Sequence, residues 1–274
     1  MLYYMNYKAM NTENYYKKIK ALNIVHYTGE TSYYEKAPLR SVENALLKTL
    51  KPGSRILDLG CGSGRFSVGV AEQGFGVVGM DITPAAIAAA KNKALNVGVD
   101  NVSFLEGDMT LIPFPDNSFD YVFCPRFVIN AVATQEKRKK SVTEMIRVVK
   151  PDGSVFIESF NKLYSGRGLG MPIRNIVRDI WRVIVLATCR LFKKEYKGLL
   201  PGDIVYPNNK VAGAPDGYAH LPTPFEFKKL VPRGQKAKIY SITQILGNRK
   251  KPDIFKLFRY SMWIIVIKKV DRLT

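Results

Sequence analysis

From residue 54 onward, short apolar runs alternate with segments of helical period. That alternation predicts βα units around a mostly parallel sheet. RILDL (55–59) reads as a first strand, followed by a helix from about Gly64 to Gln73, and FGVVGMDI (75–82) reads as a second strand. Thr83 and Pro84 then supply an N-cap and a first helical residue, and Ile87, Ala90, Ala94 and Leu95 keep a 3.6-residue period until Gly98 stops it. NVSFLEGD (101–108) is a third strand and FDYVFCP (119–125) a fourth, joined by the Pro-rich LIPFPDNS. Val142, Met145, Ile146 and Val149 mark one face of the next helix, which the turn Pro151-Asp152-Gly153 ends before a fifth strand, SVFIESF (154–160). Two late strands are expected around Lys236 to Leu246 and Met262 to Lys269.

Between residues 161 and 222 the alternation stops, giving way to GRGLG, a basic amphipathic segment and a Pro/Gly-rich stretch. The expected organisation is an α/β, Rossmann-like core over 51–160, an N-terminal helical cover over 1–50, a basic substrate-covering insertion over 161–222, and C-terminal strands over 223–274 that complete the sheet.

Composition narrows the class. A hydrophobic fraction of 46% in 274 residues is that of a folded globular protein. The N-terminal stretch lacks the apolar core of a secretory signal, no charge-free apolar run reaches the ~18 residues of a membrane span, and the expected location is the cytoplasm, with a peripheral position at the inner face of a membrane as the alternative. Cys61, Cys124 and Cys189 form no CxxC pair, which argues against zinc or a disulfide framework. The net charge of +19 is unevenly spread: residues 1–160 carry 19 basic against 16 acidic side chains, and residues 161–274 carry 23 against 7. A basic C-terminal half fits an anionic substrate, nucleic acid or acidic lipid; a solvated face without a partner is the alternative.

The chemistry concentrates in DLGCGSG, at the end of the first strand. In an open parallel sheet ligands bind outside the carboxyl ends of the strands, and the first strand-to-helix turn supplies the phosphate or nucleoside site. Gly60, Gly62 and Gly64 let that turn press its main chain against a ligand. A dinucleotide fingerprint would need a third glycine where Arg65 stands, so the pyrophosphate reading weakens. Asp58, two residues before the first glycine, suits a cationic group such as an amino-acid ammonium. Asp81 ends the second strand about 20 residues on, where a carboxylate accepts from both ribose hydroxyls. Asp108 ends the third, where it can accept from an adenine amino group while Met109 packs on the ring. Together these suit a sulfonium nucleoside better than a nicotinamide dinucleotide.

DLGCGSG, GMDIT, EGDMTLIPFPDNSFDYVFC and EMIRVVKPDGSVFI, with their spacings, resemble the class I S-adenosylmethionine-dependent methyltransferases, and most of all the branch containing ubiquinone and menaquinone methyltransferases (methyltransferase domain type 11). The resemblance covers about residues 40–160. It implies a seven-stranded sheet with a reversed last strand, S-adenosylmethionine as cofactor and S-adenosylhomocysteine as product. It also implies that Asp58, Gly60 and Gly62 meet the methionine part, Asp81 the ribose, and Asp108 and Met109 the adenine, with Cys61, Ile82 and Cys124 beside them. It carries over no acceptor residue.

A hydroxyl or ammonium acceptor must lose a proton, and histidine is the most versatile base near neutrality. His220, in GYAHLPTP, is the candidate catalytic base or substrate contact, against a turn-ordering role; His26 ranks below it. Tyr33 and Tyr34 are candidates for closing the pocket or for plain packing. The chain has Cys124-Pro125-Arg126-Phe127 where DNA amino-methylating enzymes carry an Asn/Asp-Pro-Pro-aromatic motif, so DNA is not an expected partner. Cys124 precedes its proline, unlike the nucleophile of RNA cytosine-C5 enzymes, and is read as a buried strand residue. Arg174, Arg178 and Arg182 recur on one helical face beside an apolar stripe, fitting an anionic membrane surface, the entrance for an acidic substrate, or a lid with a solvated edge. The leading expectation is methyl transfer to a small-molecule or lipid-linked acceptor; the alternative is an RNA or tRNA methyltransferase gripping phosphates with its basic half.

Overall fold

The computed structural model describes residues 12–28, 37–161, 203–206, 217–247 and 262–270. Seven strands form one sheet: β1 (Arg55–Leu59), β2 (Gly76–Asp81), β3 (Val102–Glu106), β4 (Phe119–Cys124), β5 (Val149–Phe160), β8 (Lys236–Ser241) and β9 (Met262–Lys268). Their spatial order is β3-β2-β1-β4-β5-β9-β8. β1 to β5 run parallel, and β9 is antiparallel to both of its neighbours. This is the expected sheet with a reversed last strand. A separate two-stranded ribbon pairs β6 (Asp203–Tyr206) with β7 (Gly217–His220).

The central strands are apolar on both faces because both faces are covered. Leu57, Leu59, Val122 and Ile157 point into one core with helix α1 (Thr12–Thr28) and helix α6 (Gln135–Val148). Ile56, Val77, Phe123 and Phe156 point into the other, with α2 (Ser41–Leu47) and α3 (Arg65–Ala71). Strand alternation thus divides one hydrophobic sequence run between two cores. Helix α4 (Pro84–Val97) starts and stops as its sequence signals, with Pro84 in its first turn and Gly98 closing it at φ 77°.

Three local expectations are corrected. Helix α6 ends at Val148; Val149 is already extended and pairs with Phe119 on β4, since a buried valine gains more from the sheet than from one further helical residue. Pro151-Asp152-Gly153 does not separate helix from strand but lies within β5, where Asp152 takes φ 61° and the register to β4 shifts. The late strand stops at Ser241, and residues 242–245 form a single helical turn, α7 (Ile242–Ile245), with the Ser241 amide donating to Gln244 Oε1 at 3.1 Å.

The ribbon docks on the main sheet through Asn130, on the short helix α5 (Val128–Ala131) after β4. Its Nδ2 donates to the His220 carbonyl at 2.6 Å, and its Oδ1 accepts from Phe160 N at 3.3 Å. Ala219 is thereby set over the carboxyl ends of the strands.

Candidate active site

A cavity of about 620 Å³ opens at the carboxyl ends of β1 to β4 and is roofed by α1. Its floor is the turn after β1. There Gly60, Gly62 and Gly64 all take positive φ, at 72°, 54° and 80°. A Cβ on Gly60 would stand 2.3 Å from Val128 Cγ1, so this glycine admits the helix that follows β4. A Cβ on Gly62 would meet nothing within 4 Å. Of these two glycines, therefore, only Gly62 leaves its space to a ligand; Gly60 answers to packing.

Asp58 lies on the same wall, fully buried. Ser67 Oγ donates to its Oδ2 at 2.5 Å, and its Oδ1 has no partner. Burial lifts its pKa to about 7, against the lowering effects of the Ser67 bond and the Arg65 charge. Asp81 accepts from Gly62 N at 2.9 Å through Oδ2 and from Thr83 N at 2.8 Å through Oδ1. Burial raises its pKa too, opposed by those amides. Asp81 therefore shapes both the glycine turn and the start of α4.

Asp108 closes the far end. It accepts from Tyr16 Oη at 2.7 Å, Lys20 Nζ at 2.7 Å and Thr110 N at 2.9 Å. Burial alone would raise its pKa, but these donors hold it below the usual carboxylate value. Its oxygens thus anchor α1 rather than standing open toward the cavity. Met109 lies beside it on the wall, as do Gly60, Cys61 and Ile82 of the expected set.

Two expected residues stand apart from the cavity wall. Cys124 is fully buried in the core, its thiol pushed up by burial. His220 lies on β7 with its Nδ1 2.7 Å from Asp203 Oδ1, which also accepts from Tyr218 Oη at 2.8 Å. Side chains alternate across a strand, so Tyr218 and His220 share the face opposite Ala219, and Ala219 is the residue on the cavity wall. The structure does not bring His220 to the site; it ties the ribbon together. His26 is buried on α1, its ring edge-on to Tyr27. Tyr33, Tyr34, Arg174, Arg178 and Arg182 lie outside the described residues.

The sequence reading expected an N-terminal cover but named none of the residues by which it lines the cavity, nor those of the far wall. Tyr16, Lys20, Asn23 and Tyr27 line the cavity from α1, spaced as one helical stripe. That spacing was legible, but nothing in it says which core a stripe will face. Across from them stand Arg126, Phe127 and Phe160, the two phenyl rings stacked with centroids 3.8 Å apart. Arg126 and Phe127 both hold positive φ, at 54° and 64°, a strained conformation for residues with side chains.

A nucleoside-sized cavity above a glycine turn, with an acidic residue ending each of three strands, leads to comparison with known proteins. A family model described as a methyltransferase domain matches residues 50–186, half of the chain. This chain belongs to that family. A demethylmenaquinone methyltransferase of Renibacterium salmoninarum is 34% identical over 110 residues, 40% of this chain and 43% of that protein. A ubiquinone/menaquinone biosynthesis C-methyltransferase of Vibrio cholerae is 36% identical over 120 residues, 41% and 43% of the two chains. The chain thus matches less than half the length of these relatives. Among solved structures, the CcbJ methyltransferase of Streptomyces caelestis superposes with a TM-score of 0.60 at 12% identity, over 90% of this chain and 98% of that one. A SAM-dependent methyltransferase of Methanosarcina mazei gives 0.57 at 20% identity, over 86% and 100%. Both likenesses are of fold.

Proposed function

We propose that this protein transfers a methyl group from S-adenosylmethionine to a small-molecule or lipid-linked acceptor. The observation that carries the reading is a pair of buried polar atoms on the cavity wall with nothing to bond, Asp58 Oδ1 and Ser63 Oγ, beside the open space at Gly62. Buried polar groups normally have partners, so a vacant pair points to a polar ligand. Asp58 would hold the amino-acid ammonium. Asp81 would take the ribose hydroxyls, because each of its oxygens accepts one backbone amide and keeps lone pairs to spare. Met109 would pack on the adenine, with Asp108 holding α1 over it.

The sulfonium supplies an already activated methyl group, so the chain's task is to align an acceptor and exclude water. Phe127, Phe160, Val132 and Ala219 give the acceptor end an apolar wall. This suits an acceptor with a sizeable apolar body, in keeping with the quinones in the names of the two relatives. Among the described residues no helix is long and apolar enough to cross a membrane.

The test uses methyl-labelled S-adenosylmethionine with a cell extract, with label counted separately in RNA, protein, lipid and small-molecule fractions. Label in the lipid or small-molecule fraction is expected, and Asp81→Ala should weaken S-adenosylhomocysteine binding by roughly ten- to a hundredfold through its lost charge-assisted hydrogen bonds. The surplus of 23 basic over 7 acidic residues in 161–274 favours RNA as the second reading. Label in RNA, falling steeply with salt at roughly one log-log unit per phosphate contact, would establish it instead.

A further inference from the structure

The two walls of the cavity are joined by a buried chain of alternating charges. On the floor side, Arg65 opens α3 directly after the glycine turn and makes a two-pronged contact with Glu43, Nη1 to Oε2 at 2.9 Å and Nη2 to Oε1 at 2.6 Å. Glu43 also accepts from Arg40, through the backbone N at 2.7 Å and through Nε at 2.9 Å. Arg40 then makes a second two-pronged contact, Nη1 and Nη2 to the two oxygens of Glu158 at 2.8 and 2.6 Å. Glu158, near the carboxyl end of β5, completes the chain by accepting the Arg126 backbone N–H at 2.7 Å. Glu43, Arg65 and Glu158 are each less than 10% exposed.

Two features make this more than a surface salt-bridge cluster. Two guanidinium and two carboxylate groups alternate, so the charge is balanced, and the Arg65–Glu43 and Arg40–Glu158 pairs have the planar forked geometry that makes arginine–carboxylate contacts directional. Its last bond also falls on the first of two consecutive non-glycine residues at positive φ. A backbone held in that region persists only where its surroundings over-determine it. The restraint here is identifiable: Glu158 fixes the Arg126 amide from one side, and the Phe127–Phe160 stack fixes the next residue from the other. Beyond them Val128 packs where a Cβ on Gly60 would stand.

We propose that Glu158, held by Arg40, is a positioning residue that clamps the 125–128 loop and so sets the acceptor-side wall, Phe127 above all, against the cofactor-side turn. The inference rests on the methyltransferase reading for its kinetic consequence, but not for its structural one. Loss of the clamp releases the strained loop while leaving Asp58, Gly62 and Asp81 in place. It therefore lowers turnover more than it lowers cofactor affinity.

The experiment compares wild type, Glu158→Gln and Glu158→Leu by three readouts: amide hydrogen exchange, calorimetric affinity for S-adenosylhomocysteine, and label transfer from S-adenosylmethionine to the extract fraction found above. For Glu158→Leu, exchange at residues 126–128 should quicken at least tenfold with little change at 55–62. Turnover should fall at least tenfold, with S-adenosylhomocysteine affinity within about threefold of wild type. Glu158→Gln keeps a neutral oxygen for the Arg126 amide and should fall between, restoring most of the turnover. Unchanged exchange and turnover in both variants overturn the clamp, as does a loss of S-adenosylhomocysteine affinity equal to the loss of turnover. If Glu158→Leu does not fold, Glu158→Gln decides: exchange at 126–128 indistinguishable from wild type overturns the proposal. A wild type that binds S-adenosylhomocysteine but transfers no label to any fraction overturns the methyltransferase reading, and the clamp then stands or falls on exchange alone.

Discussion

Lys20, on the helix that roofs the cavity, and Asp108, just beyond the end of β3, meet at 2.7 Å, and Tyr16 one turn earlier on the same helix reaches the same carboxylate. A contact 88 residues apart in sequence thus fastens the roof to the sheet. The Lys20 side chain is a third exposed, so its ion pair alone contributes at most about 1 kcal/mol. Asp108→Ala removes the acceptor for Tyr16, Lys20 and Thr110 together. Hydrogen exchange across residues 16–27 should quicken by an order of magnitude or more, whereas Lys20→Met should change it only a fewfold.

The same carboxylate gives a pH dependence. Its folded pKa is depressed, so its contribution to stability is present above the ordinary carboxylate value and is lost as pH falls through the lowered one. Thermal unfolding followed from pH 6 down to pH 2 should show an acid-side loss of stability that is smaller in Asp108→Asn than in wild type.

Asp58 behaves in the opposite sense. Its folded pKa is raised to about 7, so the folded state holds a proton that the unfolded state has released, and stability falls as pH rises from about 4 to about 7. A ligand ammonium beside it favours the charged carboxylate and pulls that pKa down. Binding of S-adenosylhomocysteine near pH 6.5 should therefore release a fraction of a proton, read as a dependence of the calorimetric enthalpy on the ionisation enthalpy of the buffer. Asp58→Asn should abolish that dependence and weaken binding.

Gly60 and Val128 form a pair that can be separated by mutation. Gly60→Ala drives a methyl to 2.3 Å from Val128 Cγ1 and imposes φ 72° on an alanine, costing about 2–4 kcal/mol by overpacking and backbone strain. Val128→Ala in the same chain should recover part of the packing cost, its own Cβ still standing 2.9 Å from the new methyl, and none of the strain. Denaturant unfolding of the four proteins in this cycle should give a coupling of about 1 kcal/mol or more. Additive effects would mean that the glycine answers to its backbone angle alone.

Much of the fold was written locally. The apolar runs of β1 to β5, the Thr83-Pro84 start and the Gly98 stop each reflect a preference that a few neighbouring residues decide. So did the floor of the site, because Asp58, Gly62 and Asp81 sit at strand ends whose positions the alternation fixes. The ends of elements were less legible where a long-range partner competes, as at Val149, which Phe119 draws into the sheet.

What only the tertiary structure decided lies across the cavity from the glycines. A helical stripe at Tyr16, Lys20, Asn23 and Tyr27 reads the same whether it faces a core, a partner or a cavity, and only the packing of α1 over Asp108 sets it over the cavity. Whether His220 reaches the cavity depends on the register of β7, since a shift of one residue exchanges it with Ala219. The line from Arg65 through Glu43 and Arg40 to Glu158 joins four residues spread over more than a hundred positions, and no local pattern foretells it. Strand and helix propensities act over a few residues, whereas a binding wall is assembled from whatever distant side chains the packed sheet brings within hydrogen-bond reach.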